Sequence, residues 1–282
     1  EVGEARVEKT VFMIRGENTT IVRYRITGGE GRFSIVPLMH SRSFHAARPL
    51  PLLQQEELNR GALIRSSERP DAPIMLHSDG PAFMADERVY HNFEYEAERS
   101  RGLAWKEDLF SPGRFQMDLS GEEEFAISAS AWRSSMPDWR SEMARERSRL
   151  EALKAPLPEL DMAADSFLVR RGAGLSIIAG YHWFDDWGRD AMISLPGLLL
   201  SPGRIEEAAG VLRSFASAMK GGVLPNDLGA ESYNAVDASL WFVRAVAAYF
   251  EQCEDMPLLQ ELWPALLAVY SRYSRAGESF GA

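Results

Sequence analysis

Two segments of the sequence place aromatic rings beside carboxylates and a guanidinium. Residues 179–197 contain Trp187, Arg189 and Asp190, and residues 225–241 contain Asp237 and Trp241. Each segment leads into an apolar stretch that predicts a buried helix. Flat aromatic faces combined with charged hydrogen-bonding groups suit a polyhydroxylated ring, so the two segments together predict a sugar site. The alternative for either segment is a well-packed helix start with a solvated acidic rim.

Size and composition indicate an ordinary globular chain. Its 282 residues exceed one average domain, so one large or two ordinary domains are expected. The chain has no apolar run of the ~18 residues that a membrane helix needs. A net charge of −10 disfavours nucleic acid, whose phosphates attract clustered Lys and Arg. The single cysteine, Cys253, and the absence of a signal-peptide pattern favour the cytoplasm.

The common cofactor and metal motifs are missing from the sequence. It has no dinucleotide fingerprint, no Walker A motif, no G-x-S-x-G and no H-E-x-x-H. The first half holds four of the five histidines, and none has the spacing of a zinc site: His40, His45, His77 and His91. We therefore expect surface or loop positions for them, and neither a cofactor nor a metal.

The first half of the chain is predicted to be rich in β-strands. Polar and apolar residues alternate over 19–26, Gly28 to Gly31 interrupt the pattern, and residues 32–38 resume it, which predicts a β-hairpin. Turn residues separate the remaining candidates. Further strands are predicted over 74–78, 88–96 and 124–130, with turns at 78–81 and 111–113. A β-sandwich is the expected architecture.

The second half is predicted to be helical. Residues 141–154 combine helix formers with opposite charges four apart, which indicates a solvated connecting helix. Pro156 and Pro158 mark its boundary. Beyond them only helices are expected, with Pro196 and Pro264 kinking or ending theirs. Helical hairpins are predicted from the segments 204–219, 237–253 and 256–273.

Several motifs resemble those of a known family. Residues 164–170, 178–190 and 233–242 are similar to the glucosidase domain of glycogen debranching enzymes. Residues 16–19 and 101–113 resemble the β-sandwich that precedes this domain in bacterial and archaeal members. The resemblance covers most of the chain.

This resemblance implies a multidomain α+β protein. An N-terminal β-sandwich would occupy residues 1–136, a linker helix 137–158, and the first hairpins of an (α/α)6 toroid 159–282. The implied activity is that of an amylo-1,6-glucosidase, which hydrolyses glucose stubs on branched α-glucans such as glycogen and limit dextrin with inversion and without a cofactor.

The resemblance also implies roles for individual residues. Trp187, Arg189 and Asp190 match an element in which Arg and Asp hold the hydroxyls of the glucose that is released. Asp237 stands where related toroidal enzymes place the proton donor, and it could be desolvated by Val236, Leu240, Trp241 and Phe242. The alternatives are a helix-start ion pair for Arg189 and Asp190, and a helix N-cap for Asp237. Further sugar contacts are expected from Trp241, Asn226 and Tyr233.

Hydrolysis needs a second carboxylate opposite the acid. In the family resemblance this base comes late in the toroid, so we expect it beyond Ala282 and expect the fragment by itself to be inactive. Asp186 or Glu231 could in principle serve as this base, but only their proximity in sequence favours either of them.

Two other functions remain open at this point. One is another glucosidase of the same toroidal fold, similar to glucoamylases or trehalases, and the other is a non-catalytic carbohydrate-binding module. A homo-oligomer is also plausible, because a partial ring would leave apolar helix faces exposed.

Overall fold

The computed structural model describes residues 4–43, 47–153, 157–181, 184–229 and 232–279, with side chains as far as residue 274. The chain divides into two compact units, Glu1–Ser148 and Arg149–Ala282. Four residues that the sequence analysis names, His45, Pro156, Glu231 and Ala282, lie outside the described residues. No described helix has both the length and the apolar character needed to cross a membrane.

The described part of the first unit is built from strands that form two antiparallel sheets. Six strands lie in the order β1-β2-β9-β6-β5-β4, and three in the order β3-β8-β7. The strands predicted over 74–78, 88–96 and 124–130 are confirmed, the second and third with different limits. The bounds along the chain are β1 (Arg6–Met13), β2 (Thr19–Thr27), β3 (Glu30–Ile35), β4 (Leu53–Leu58), β5 (Gly61–Ser66), β6 (Ile74–Ser78), β7 (Ala82–Glu94), β8 (Lys106–Ser120) and β9 (Glu123–Ser130).

Aromatic side chains from both sheets meet in the core of this unit. The ring of Tyr24 on β2 lies 5.7 Å from that of Phe33 on β3 and 5.5 Å from that of Phe125 on β9. Phe83 and Phe115 add a third pair, with ring centroids 5.1 Å apart. Inward-facing rings from two sheets filling one core is sandwich packing, so the predicted sheet-rich first half is confirmed.

The hairpin predicted from residues 19–38 is wrong. β2 pairs with β1 along one edge and with β9 along the other, so neither edge is free for β3. β3 instead pairs with β8 in the second sheet. The intervening Gly28 and Gly29 have φ values of +73° and +76°, and they carry the chain from one sheet to the other.

The turn predicted at residues 111–113 is also wrong, because this segment lies inside β8. The pairing with β7 shifts register opposite it, between Ala85 and Arg88. Proline is tolerated in a strand at such a bulge, where its missing N–H breaks no ladder bond. A side chain at Gly113 would come within 2.2 Å of the Met84 carbonyl oxygen, so the close approach of β7 requires glycine.

The predicted connecting helix begins earlier than expected and is not free in solvent at its start. This helix, α2, spans Trp139–Glu151, and Trp139 is 2% exposed. The Trp139 ring packs with Ile21 and Ala126, and its Nε1–H donates to Asp79 at 2.7 Å. The first turn of α2 is therefore anchored to the six-stranded sheet.

One histidine departs from its predicted surface or loop position. His77 lies in β6 between two other strands and is 7% exposed, and burial lowers the pKa of its ring. His40 lies in a loop, and His91 is exposed and paired with Asp108 at 2.9 Å. Within the described ranges, no three His, Cys, Asp or Glu side chains are arranged to hold a metal ion.

The second unit is mainly helical and packs around one apolar core. Leu195, Leu212, Phe215 and Phe242 are completely buried in it. The helices predicted over 204–219, 237–253 and 256–273 are confirmed. A π-helical turn over Pro196–Leu200 continues the helix α4 (Gly188–Leu195), whereas the helix α7 (Met256–Ser279) runs on through Pro264. The elements are α3 (Pro158–Phe167), β10 (Leu168–Arg171), β11 (Gly174–Ile177), α4 (Gly188–Leu195), α5 (Ile205–Ala218), α6 (Ala238–Cys253) and α7 (Met256–Ser279). The short helix α1 (Glu96–Ser100) belongs to the first unit.

The expectation that only helices follow Pro158 is wrong, because β10 and β11 form a small antiparallel hairpin. Four-residue strands are too short to show a clear period of two, which explains why the pattern was missed. Tertiary contacts hold the hairpin in place. The backbone N–H of Leu175 donates to the Ser214 hydroxyl of α5 at 3.2 Å, and the Leu175 side chain packs over Gly210.

Candidate functional site

Two loops of the second unit lie side by side at the starts of α4 and α6. We call residues 184–187 the first site loop, and residues 225–229 with 232–237 the second. The N–H of Gly188 donates to the Asn226 carbonyl at 2.8 Å, and Trp187 and Asp227 form an isolated β-bridge. A side chain at Gly188 would come within 2.5 Å of the Pro225 carbonyl oxygen, so glycine is needed for this approach.

An ion pair joins the two motifs of the sequence analysis. Arg189, in the first turn of α4, donates from Nε to Oδ1 of Asp237 at 3.0 Å, and a terminal nitrogen of its guanidinium lies 2.9 Å from the same oxygen. The side chains are 54% and 42% exposed, so both are open to a ligand from solvent. Residues 48 positions apart thus form one charged, accessible pair.

The alternative role of Asp237 as a helix cap is not observed. Asp237 is the N-cap residue of α6 by position, but its side chain makes no capping hydrogen bond. A capping carboxylate would accept the N–H of the second or third helical residue. Its oxygen instead accepts the bond from Arg189.

The four sequence neighbours expected to desolvate Asp237 are divided between the surface and the core, and the Asp237 side chain is itself 42% exposed. Val236, Leu240 and Trp241 are 71%, 46% and 38% exposed, and Phe242 is buried in the core. The reason is helical geometry, since α6 turns Ala238, Phe242 and Ala245 inward and leaves the intervening side chains outside.

Other predicted contacts also lie at the surface. Trp187 and Trp241 keep 41% and 38% of their area exposed, and Phe184 keeps 54%. Asp190 is exposed in the first turn of α4, next to Arg189. A surface with exposed aromatic rings and charged groups on neighbouring residues can stack on a sugar ring and hydrogen-bond its hydroxyls.

Tyr233 and Asn226, which belong to the second site loop, both contact other residues of the protein. The Tyr233 hydroxyl donates to the Ala218 carbonyl at 3.0 Å, and the Lys220 ammonium lies 5.0 Å from its ring centre. The Asn226 amide donates to the Asn234 side chain, while its own side-chain oxygen is buried without a partner among the described residues. Both residues therefore shape the loop.

A buried cluster under the loops was not anticipated as a unit. Asp186 is 2% exposed, and neither of its carboxylate oxygens has a hydrogen-bond partner among the described residues. Burial raises the pKa of Asp186, although the nearby Arg171 guanidinium opposes this. A terminal nitrogen of Arg171 lies 3.4 Å from Asp186 and 3.7 Å from Asp227. No spacing in the sequence connects Arg171 to these residues, because the contact depends on the β10–β11 hairpin.

Comparison with known proteins agrees with this division into a sheet unit and a helical unit. Residues 1–126 match a family model described as the N-terminal part of glycogen debranching enzyme, and residues 162–282 match one described as amylo-alpha-1,6-glucosidase. The glycogen debranching enzyme of Saccharomyces cerevisiae is 47% identical over 66 residues, which is 22% of this chain and 4% of the yeast protein.

A β-sheet unit followed by a helical unit is also the order of the two matched family models along the chain. Both models describe parts of the same kind of enzyme. One matches residues of the first unit and the other matches residues of the second. The chain belongs to the glycogen debranching enzyme family.

Proposed function

We propose that this chain supplies the glucose-binding groups and the proton donor of an enzyme that hydrolyses α-1,6-linked glucose stubs on glycogen and limit dextrin. The proposal includes a cytoplasmic, bacterial or archaeal type of enzyme. Its sandwich domain would span residues 1–136, its linker 137–158, and the first hairpins of its toroid 159–282. Family membership and the Arg189–Asp237 pair support it.

Arg189 and Asp190 would hold the glucose unit. A guanidinium can donate hydrogen bonds to two neighbouring sugar hydroxyls, and a carboxylate can accept hydrogen bonds from two. The two groups therefore match the vicinal hydroxyls of a sugar. Both side chains are exposed at the start of α4. Trp187 and Trp241 would stack on sugar faces, and Asn226 and Tyr233 would contribute contacts from the second site loop.

Asp237 would act as the general acid. Glucose hydroxyls that draw the Arg189 guanidinium onto themselves leave Asp237 free to bind a proton and deliver it to the glycosidic oxygen. The bond from that oxygen to the anomeric carbon then breaks, and water attacks the carbon from the opposite face. A second carboxylate takes the proton of this water, which gives inversion when the two carboxyl groups are ~6.5–9.5 Å apart.

The 282 residues by themselves would not catalyse this reaction. Asp186 cannot be the base in the described arrangement, because its side chain is 3% exposed and lies beneath the loops beside Arg171. Glucose release from limit dextrin by the isolated chain would therefore contradict this part of the proposal.

The experiment that tests the acid is Asp237→Asn in the enzyme that contains these residues. Loss of a general acid lowers kcat by about a thousandfold, and KM should change little. Glucose release from a limit dextrin with α-1,6 stubs measures both constants, and maltosaccharides in parallel separate this activity from that of an α-1,4 glucosidase.

The matched control is Asp255→Asn. Asp255 also stands at the start of a helix, but its carboxylate accepts the N–H of Leu258 at 3.0 Å and the Tyr249 hydroxyl. Because asparagine caps helices as well as aspartate does, this variant should keep its kcat. Full activity in Asp237→Asn would instead favour a non-catalytic binding role or another donor.

A further inference from the structure

We propose that Arg171 is a positioning residue that holds the two site loops together by bridging Asp186 and Asp227. The consequence for sugar binding that we infer below rests on the proposed function. The bridge itself is a property of the fold.

The geometry places one cation between two loops. A terminal guanidinium nitrogen of Arg171, at the end of β10, lies 3.4 Å from Oδ1 of Asp186 and 3.7 Å from Oδ1 of Asp227. Asp186 belongs to the first site loop and Asp227 to the second. Three segments that are distant in sequence therefore meet at a single guanidinium group.

One side of the Arg171 guanidinium packs against the second site loop, while 43% of the side chain stays exposed. A side chain at Gly229 would come within 2.0 Å of the same terminal guanidinium nitrogen, so the group runs directly over the Gly229 backbone. The N–H of Gly229 in turn donates to Oδ1 of Asp227. The second site loop thus lies against one side of the Arg171 guanidinium.

Asp186 depends on this cation more than a typical buried carboxylate would. Its side chain is 3% exposed, and its oxygens have no hydrogen-bond partner among the described residues. A buried charge is costly unless it is paired, and among the described residues Arg171 is the cation that lies beside Asp186. We call the place where the two site loops meet, at Asp186 and Asp227, the loop junction. Without Arg171, these two carboxylates would face one another across the loop junction, and their repulsion would separate the loops.

The loop junction carries the proposed sugar contacts. Asp186 directly precedes Trp187, and Asp227 directly follows Asn226. The junction also contains the hydrogen bond from Gly188 to Asn226 at 2.8 Å and a longer one from Leu228 to the Asp186 carbonyl at 3.5 Å. Opening of the junction would therefore displace Trp187 from Asn226 without touching the core.

The experiment uses the 282-residue chain with Arg171→Met, Arg171→Lys and the control Arg213→Met. Arg213 is a matched residue because it is 46% exposed against 43% for Arg171 and pairs with one carboxylate, Glu261, at 2.9 Å between α5 and α7. Two measurements are made on each variant. Hydrogen–deuterium exchange follows the amides of Gly188, Asn226 and Leu228, and calorimetric titration follows the binding of isomaltose.

We expect Arg171→Met to speed exchange of these three amides about tenfold, the ratio that ~1.4 kcal/mol of lost local stability produces. The amides inside α5 and α6 should not change. Arg171→Lys should restore most of the protection, because it returns the positive charge, and Arg213→Met should leave the junction as it is. Isomaltose should bind about tenfold more weakly to Arg171→Met than to the unsubstituted chain and to Arg213→Met.

Each outcome has a distinct meaning. Unchanged junction exchange in Arg171→Met, or a loss of protection spread evenly over α4 to α7, overturns the positioning role. Faster junction exchange with unchanged isomaltose affinity overturns its consequence for binding. If the unsubstituted chain binds no isomaltose but the junction opens in Arg171→Met, the proposed sugar site fails while the bridge is upheld.

Discussion

Both units of the molecule bury carboxylates beside arginines, and the environments of two of these carboxylates, Glu107 and Asp186, differ. Glu107, in the sheet unit, has a side chain that is 1% exposed and accepts two bonds from Arg42 at 2.6 and 2.7 Å. The Tyr95 hydroxyl donates a third at 2.6 Å. Asp186, in the helical unit, is 3% exposed and has Arg171 at 3.4 Å but no hydrogen bond among the described residues.

The pKa values of the two groups move in opposite directions for this reason. For Glu107, burial would raise the pKa, but the hydrogen bonds from Arg42 and Tyr95 outweigh it and the pKa is lowered. For Asp186, burial outweighs the attraction of Arg171 and the pKa is raised. A buried carboxylate therefore stabilises the folded state only where hydrogen-bond donors point at its charge. The contacts of Asp186 with Arg171 and the Ser176 hydroxyl do not offset the cost of its burial.

The largest expected effect comes from Glu107→Gln. Removing one partner of a buried pair leaves Arg42 without its counter-charge and should lower the unfolding free energy of the sheet unit by about 3 kcal/mol. Urea titration read by hydrogen exchange of β8 and β9 measures this unit separately from the helical one. Glu122→Gln is the control, because the Arg25–Glu122 pair is 46% and 62% exposed and should contribute less than about 1 kcal/mol.

The effect of Glu107→Gln should also depend on pH. A lowered folded-state pKa means that Glu107 stabilises the fold above its unfolded-state value, near 4.5, and that this contribution is lost as pH falls through the folded-state pKa. The gap between the variant and the unsubstituted chain should be widest at neutral pH and close under acid conditions. A gap that stays constant with pH would contradict the structural role assigned to the Glu107 charge.

A smaller loss is expected for Tyr95→Phe, which deletes only the hydroxyl that donates to Glu107. A hydrogen bond to a charged group contributes about 1.5 kcal/mol, so the sheet unit should lose roughly half as much stability as in Glu107→Gln. The same urea titration applies. Tyr90→Phe on the exposed part of β7 is the control, and equal losses in the two variants would show that the hydroxyl of Tyr95 is not engaged as described.

The smallest change, and one of opposite pH dependence, is expected for Asp186→Asn. A raised folded-state pKa means that protonated Asp186 stabilises the fold below about pH 3.8, its unfolded-state value, and that this stabilisation is lost as pH rises through the folded-state pKa. Asparagine resembles the protonated form at every pH. The melting temperature of Asp186→Asn relative to the unsubstituted chain should therefore increase between pH 4 and pH 7.

The groups that face Asp186 define what this measurement reports. They are Arg171 on β10, Asp227 in the second site loop and the buried hydroxyl of Ser176 on β11. The exposed neighbour Asp185→Asn is the control and should show no such trend. A relative melting temperature that falls from pH 4 to pH 7 would mean that Arg171 dominates the environment of Asp186, and the contrast with Glu107 would disappear.

Local pattern predicted much of the secondary structure. The period of apolar residues located α5, α6 and α7, and β6 was predicted with its observed limits. These elements follow from side-chain periodicity within one segment. The β2–β3 hairpin failed because strand pairing is a choice among distant partners, and β9 occupies the edge of β2 that a sequence neighbour would have taken.

The sequence by itself determined the family and which residue types are available for sugar chemistry, since the Trp187–Asp190 and Asp237 motifs are continuous in the chain. Only the tertiary structure decided how they combine. It paired Arg189 with Asp237, turned Val236 and Leu240 to solvent, and placed Arg171 between Asp186 and Asp227. The physical reason is that a motif depends on neighbours along the chain, whereas charge pairing and burial depend on neighbours in space.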